Sequence, residues 1–474
     1  MTPSLLAASL VLALGQTPES VATKASPPDD AFLQARLSLL AGDTDFGAPD
    51  ATTRFHVALD ARTAELTSGL RAEAALSLFV NPSGVQGLAF QDNASYFRLR
   101  YRPSSWAAHE SLSLTAFPVS STRLYMGYEN PVVWGRQTTL IRREEGGEPG
   151  MELRLSRQRW EAFAAAKAPR LANGLTLEHE RRLMFLAGAG LNLTRAFRAE
   201  IQAAHFGRPP SGAMSEGGKD LDLNTYGVSG RVQWRQGAPV GTNVDLALYE
   251  GDPTFFERFF APEVYPGGFG AYLALEGSFV SQRLLDADAS EPGITRRQPA
   301  HAAALVARFK WDLLRVHALA YYKTPAFIFI DVPGFPPGLA LSNRMQPAAE
   351  RSATLGADYH LRAWGLTPGL LLRATRPPSL TSAFATSGVL SGHAIIRDNR
   401  LLTFLPEGEE PGLILTTKAT ARWDLGEVAG VLAEVFYTRD PNRTRFENDV
   451  TGTFRVVRES PHMVGGNLLL QVRL

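Results

Sequence analysis

RSATLGADYHLRAW, residues 351–364, holds almost every side-chain chemistry when read straight through, and splits cleanly when read every second residue. Ala353, Leu355, Ala357, Tyr359 and Leu361 are apolar, whereas Ser352, Thr354, Gly356, Asp358, His360 and Arg362 are small or polar. A period of two is the signature of a β-strand with two different surroundings. Either the apolar face meets a protein core and the polar face meets water, or the apolar face meets lipid and the polar face lines a wet interior.

The same period runs through much of the chain from about residue 32. Phe55, Val57, Leu59 and Ala61 alternate with Arg54, His56, Ala58, Asp60 and Arg62, and Leu70, Ala72, Ala74 and Leu76 with Arg71, Glu73, Ala75 and Ser77. Phe97, Leu99 and Tyr101 alternate with Arg98, Arg100 and Arg102, Leu124, Met126 and Tyr128 with Arg123 and Tyr125, and Met151, Leu153 and Leu155 with Glu152 and Arg154. Further along, the pattern recurs at 226–234, 243–249, 305–311, 314–323 and 413–423. RWEAFAAAK, residues 159–167, also suits a short helix. The runs last roughly 9 to 12 residues, the length of a tilted strand crossing a bilayer rather than of a soluble strand. We therefore expect about 16 to 20 membrane strands.

Connections fall into two classes. Trp311-Asp312-Leu313, Ala363-Trp364-Gly365 and Asp424-Leu425-Gly426 read as tight turns; 130–148, 207–221, 250–267, 283–298, 324–350, 377–411 and 440–451 read as long loops. Short turns at one end and long loops at the other are the pattern of an outer-membrane barrel, with the turns periplasmic and the loops extracellular. Charged side chains in mid-strand, such as Glu73, Arg100, Arg154, Asp358 and Glu434, need water or a counter-ion. Tyr101, Tyr128, Trp234, Trp311, Tyr322 and Trp423 fall near strand ends, where interfacial aromatics belong. The fold class is all-β, a transmembrane antiparallel β-barrel over residues 32–474, in the bacterial outer membrane. A soluble propeller is the competing reading, and the chain shows no fixed repeat of propeller length.

The net charge of +1 gives no bulk electrostatic basis for nucleic-acid binding. The chain has no cysteine, which excludes disulfides, thiolate metal sites and a cysteine nucleophile. LLAASLVLALG, residues 5–15, is too short to span a bilayer and reads as a signal-peptide core, with Ala13-Leu14-Gly15 as the cleavage site. Residues 1–15 are thus expected to be a signal peptide and 16–31 a flexible mature N-terminus.

The last residues alternate again: Leu468, Leu470, Val472 and Leu474 against Asn467, Leu469, Gln471 and Arg473. Here the chain resembles the bacterial outer-membrane β-barrel class, of porin-like type, whose last strand alternates and ends on an apolar residue. The resemblance implies that Leu468, Leu470, Val472 and Leu474 form the signal read by the barrel assembly machinery. That class usually ends on an aromatic residue, and Leu474 departs from it. RLYMGYENPVVWG, residues 123–135, resembles barrels of myxobacteria and relatives, some of which sit in gliding-motility or envelope complexes.

Motifs for catalysis are lacking: there is no G-x-S-x-G and no H-E-x-x-H, and the nine histidines are scattered, so no enzyme activity, metal or cofactor is expected. His56, His317 and His360 each fall on a polar face, as lumen-lining residues or as parts of one site. The lumen carries the functional expectation. Arg54, Arg98, Arg100, Arg102, Arg154, Arg231, Arg308, Lys310, Arg315, Asp358, His360, Arg362 and Lys418 are expected to line a solute path. An open pore so lined favours anions; alternatively the arginines pair with acids as structural filling. FIFIDVPGFPPG (327–338) and FFERFFAPEVYPGGFG (255–270) are candidate capping loops. The expected function is a porin-like channel for small solutes; the alternatives are a non-conducting barrel anchoring an envelope complex and, with least support from the motifs, an outer-membrane enzyme. Expected partners are outer-membrane lipid, lipopolysaccharide, the assembly machinery and possible envelope complexes.

Overall fold

The computed structural model describes residues 31–46, 52–83, 87–136, 147–172, 179–208, 223–241, 265–291, 293–331, 338–381, 392–397, 402–426, 428–448 and 454–473. The expectations for residues 1–15, for 16–30 and for Leu474 lie outside them.

Among the described residues, eighteen antiparallel strands form one closed sheet. They are β1 (Phe32–Asp43), β2 (Thr52–Arg62), β3 (Leu70–Ser83), β4 (Gly87–Asp92 and Tyr96–Tyr101), β5 (Ser111–Phe117) and β6 (Gly150–Ser156). Next come β7 (Trp160–Lys167), β8 (Met184–Asn192), β9 (Phe197–Gly207), β10 (Asn224–Gly237), β11 (Phe269–Leu285) and β12 (Thr295–Trp311). The last six are β13 (Leu314–Lys323), β14 (Glu350–Tyr359), β15 (Leu366–Arg376), β16 (Ile414–Leu425), β17 (Ala429–Arg439) and β18 (His462–Arg473). Each strand pairs with its chain neighbours, and β18 returns to β1, with Leu37 opposite Val472 and Leu39 opposite Leu470. Closure leaves no unpaired edge, which is the condition for a sheet to sit in hydrocarbon. β4 is one wall position in two halves, both paired with β3; Asn93, Ala94 and Ser95 bulge between them, with Ala94 at φ 57° and fully buried. No helix of the described residues is long and apolar enough to cross a membrane.

Residues 351–364 decide the sidedness. Along β14, burial alternates without a break: Ser352, Thr354, Gly356 and Asp358 are buried, while Ala353, Leu355, Ala357 and Tyr359 are exposed. Leu355 is 56% exposed and Asp358 3%. This inverts a soluble protein: the large apolar side chains form the outside, and the charges lie within. Only lipid makes such an exterior stable, so the chain is an outer-membrane barrel. Aromatics frame the apolar band. Tyr101, Trp160, Phe269, Trp311, Tyr359 and Trp423 mark one border, and Phe55, Tyr226, Phe279 and Tyr322 the other. The eight residue steps from Leu314 to Tyr322 on β13 correspond to about 20 Å of height at a strand tilt near 40°.

Three sequence readings change. Residues 159–167 are not helical: Trp160–Lys167 is strand β7, with Glu161 inward. Leu124, Met126 and Tyr128 do not form a membrane strand. They belong to residues 118–136 of the connection between β5 and β6, which fold into the barrel, where Leu124 and Met126 join an interior apolar cluster. Tyr128 accordingly sits in the lumen instead of the aromatic border. Finally, not every long loop is extracellular. Strand parity puts the connection from Ala238 to Gly268, which contains 250–267, at the end carrying the tight turns and the start of β1. The alternating stretch 243–249 lies outside the described residues, and the wall is complete without it because β10 pairs directly with β11. Loop length does not report which end a loop occupies; the strand count does.

Candidate functional site: an inward-folded loop on an ion-paired wall

The lumen is narrowed by residues 118–136, the first part of the β5–β6 connection. A short loop hairpin forms there, with Met126 and Trp134 exchanging backbone hydrogen bonds of 2.9 Å in both directions. Asn130–Val132 makes one 3₁₀ turn between them. Leu124, Met126, Val132 and Trp134 are buried against the inner faces of β8 to β12, together with Met184, Phe206 and Val280.

Polar wall residues hold this loop. The backbone N–H of Tyr128 donates to Glu276 Oε1 at 2.8 Å, and that of Glu129 to Glu276 Oε2 at 2.7 Å. Gly127 N–H donates to Gln202 Oε1 at 2.9 Å, in a backbone conformation of φ 93° that favours glycine. Trp134 Nε1–H donates to Ser229 Oγ at 3.1 Å, and Ser229 lies 2.8 Å from Ser278 Oγ. Gly227 leaves the socket for the indole: a Cβ there would overlap the Trp134 ring. Lys167 Nζ donates to the Gly135 carbonyl. The loop's own side chains return to the wall. Glu129 pairs with Arg308 at 3.2 Å, and the Arg231 guanidinium lies 4.4 Å from the centroid of the Tyr128 ring.

Around the lumen, cations and carboxylates alternate. Arg98 pairs with Glu73 at 3.2 Å; Arg154 with Glu152 at 3.0 Å and Glu161 at 3.3 Å; Arg231 Nε with Glu200 at 2.7 Å. Arg198 bridges Glu161 and Glu200. On the opposite wall Arg36 meets Asp60, Arg315 meets Asp358 at 2.6 Å, Lys323 meets Glu350 at 2.9 Å, and Lys418 meets Glu434 at 3.0 Å. The structure thus takes the filling alternative for most of the predicted path. The excess of cations expected from the sequence shrinks because Glu129, Glu161, Glu200, Glu276 and Glu350 also reach the lumen. Glu161 lay in the helix-like stretch, and the long alternating runs of β9 and β11 hold Glu200 and Glu276.

Most of the predicted path residues do point inward. Arg54, Arg98, Arg100, Arg154, Arg231, Arg308, Lys310, Arg315, Asp358 and Lys418 all lie on inward strand positions. Lys310 Nζ donates to the Pro266 carbonyl at 2.6 Å, part of an anchor for the β10–β11 connection. Arg100 stands directly opposite Arg71 on β3, and both feel the charge of Glu73. Three predictions sit elsewhere. Arg362 is on the tight turn after β14, 60% exposed by side chain and 3.9 Å from Asp312, because the strand ends at Tyr359 and the alternation no longer reports a face. Arg102 likewise follows the last residue of β4 and bonds the Ala108 carbonyl within a turn. His360 also lies past the strand, at the periplasmic mouth. There it stacks on Tyr265 at 3.6 Å and 5°, and both contact Thr367 Oγ1.

The three polar-face histidines do not make one site. His56 bonds Ser77 at 2.8 Å beside Asn93, whereas His317 lies 3.8 Å from Asp358. No group of three or more His, Asp or Glu able to hold a metal occurs among the described residues. Of the two candidate capping loops, the described start of the first, up to Asp331, packs inward: Phe327 and Ile330 are buried in the interior cluster, and Arg208 bonds the Ile330 carbonyl at 3.2 Å. Residues 255–264 of the second lie outside the described residues. In β18, Leu468 and Leu470 face outward and Val472 is half-buried beside β1.

The fold is similar to that of outer-membrane proteins of Pseudomonas aeruginosa. The crystal structure of OccK3 (OpdO) aligns at TM-score 0.49 with 11% identity, over 94% of this chain and 96% of that one. OprD aligns at TM-score 0.49 with 9% identity, over 94% and 95%, and the outer membrane protein OpdK at 0.47 with 10%, over 94% and 98%. No protein-family model matches the sequence, and no curated protein matches it.

Proposed function

We propose that this barrel is a porin-like channel for small polar solutes, its path running past the clamped 118–136 loop. The observation that carries the reading is Glu276. A wall carboxylate accepting two successive loop N–H groups fixes a constriction that an ornamental loop does not need. A wall of paired charges offers both signs to a passing solute without a large net field. Arg71 and Arg100, opposed near the periplasmic end, add a mild preference for anions. In this reading the barrel does no chemistry on its solute. The outward Leu468 and Leu470 on the closing strand support recognition of that strand by the barrel assembly machinery.

Purified protein in planar lipid bilayers is expected to give stepwise conductance, with a reversal potential under a salt gradient displaced toward that of chloride. Absence of any conductance at all voltages overturns the channel reading. A second reading, a non-conducting barrel anchoring an envelope complex, draws on the interior apolar cluster of Met126, Trp134, Phe327 and Ile330, which fills part of the lumen. Stable partners co-purifying with a silent barrel would favour it.

A further inference from the structure

The outward face of β11 to β15 carries its charges at one end only. From periplasmic to extracellular, that face on β14 reads Tyr359, Ala357, Leu355, Ala353, Arg351; on β15 it runs from Leu366 to Arg376. On β11 and β12 it ends in Arg283 and Arg297. Among the described residues no carboxylate lies on the outward face of these five strands. The nearby acids are turned away: Glu350 points inward to Lys323 and Tyr321, and Asp286 and Asp288 are engaged by Arg296.

The arginines are also opposed in pairs. Arg351 stands directly across from Arg376, and Arg283 directly across from Arg297. Like charges at directly opposed strand positions repel. Arg297 donates to Ser281 Oγ at 3.1 Å and Arg283 to Thr295 Oγ1 at 3.0 Å, which holds both along the outer surface. Arg351 and Arg376 are exposed and have no acidic partner among the described residues. Tyr322, which marks the extracellular border of the apolar band, is the register partner of Arg351. The Arg351–Arg376 pair therefore lies at headgroup height. Arg297 lies six residues beyond Ala303, the register partner of Tyr322, so the second pair stands higher, outside the apolar band.

We propose that this two-tiered arginine face binds the phosphates of the outer-leaflet glycolipid, lipopolysaccharide. The lower pair would take a phosphate at the lipid headgroup, and the upper pair a phosphate of the sugars above it. Opposed guanidiniums present forked N–H donors to a phosphate between them, and the bound anion relieves their repulsion. The periplasmic border of the same strands is aromatic and uncharged, so the face distinguishes the two leaflets. This inference does not depend on whether the barrel conducts.

The test compares diphosphoryl lipid A, its dephosphorylated form and inorganic phosphate as ligands of the full-length folded barrel in neutral detergent. Binding is read by native mass spectrometry, and folding by heat-modifiable migration on gels. Wild-type protein is expected to bind the diphosphoryl lipid roughly tenfold more tightly than the dephosphorylated one. Arg351→Gln/Arg376→Gln should abolish that preference, and Arg351→Lys/Arg376→Lys should keep most of it. Equal binding of the two lipids by wild type, or an unchanged preference in the folded glutamine variant, overturns the proposal. Displacement of lipid A by micromolar inorganic phosphate would assign a free-anion site and overturn the lipid assignment. If the double glutamine variant does not fold, the single variants Arg351→Gln and Arg376→Gln, each expected to weaken the preference, decide together with the wild-type comparison.

Discussion

Tyr128 and Glu276 are 148 residues apart in sequence, and the backbone N–H of one donates to the carboxylate of the other at 2.8 Å across the lumen. With Glu129 donating to the second oxygen, one wall side chain holds the loop that narrows the barrel.

Removing that acceptor should free the loop without opening the wall, since Glu276 makes its loop contacts by side chain and its strand contacts by backbone. Glu276→Ala strands two N–H groups, at a local cost of about 2 to 4 kcal/mol. Single-channel recordings are expected to show larger and noisier current levels than wild type, with Glu276→Gln intermediate. Wild-type conductance and noise in Glu276→Ala would show that the loop is held by other contacts.

The two faces of β14 should respond oppositely to the same substitution. Leu355→Arg places a cation on the lipid face near mid-strand, costing about 2 to 4 kcal/mol. Thr354→Arg places it in the lumen, on the side of Asp358. Folding into lipid vesicles, followed by heat-modifiable migration, should fall sharply for the first and little for the second. Equal effects would refute the sidedness.

Lys418 and Glu434 form an ion pair almost closed to solvent, 3.0 Å apart, with Asn467 also donating to Glu434. Losing one partner leaves a buried charge uncompensated, at a cost of about 3 to 5 kcal/mol. Lys418→Met should lower the urea midpoint of vesicle-folded barrel markedly, and Lys418→Met/Glu434→Leu should recover much of the loss. Additive losses in the double variant would mean the two do not act as a pair.

Asp288 fastens one extracellular connection to another: it accepts from Asn343 N–H at 2.7 Å, from Ser342 Oγ, and from Arg296 at 3.1 Å. The Asn343 and Ser342 hydrogen bonds, with Arg296 beside them, hold its carboxyl below the ordinary range. The folded pKa lies below the unfolded one, so the contact is fully present above the ordinary aspartate value, about 4, and is lost as pH falls through the depressed value. Hydrogen exchange at Asn343 N–H, corrected for intrinsic rates, should stay protected at pH 5 and lose protection only as the pH falls below the ordinary aspartate value. Loss of protection already at pH 5 would contradict this.

Much of the barrel was legible because its physics is local. In β14, β2 and β16, each side chain meets lipid or lumen according to parity alone, so Leu355 and Asp358 declare their sides two residues at a time. The same rule misled at Leu124 and Met126, which meet an interior cluster instead of lipid, and at Tyr128, which lies under Arg231 in the lumen. It also overran strand ends at Arg102, His360 and Arg362, since parity carries no meaning once the ladder stops. Glu276 was missed as the clamp because nothing in FGAYLALEGSFVSQRLL says that a loop 147 residues earlier will deliver its N–H groups there.

By itself, the sequence determined the strand-crossing architecture, the outward apolar face and the charged interior, because period-two patterning is set by nearest neighbours along one strand. The tertiary structure decided the rest. Which arginines are neutralised, which loop enters the lumen and which end a long connection occupies all depend on strand count and register, which bring residues from distant strands to one height on a closed wall.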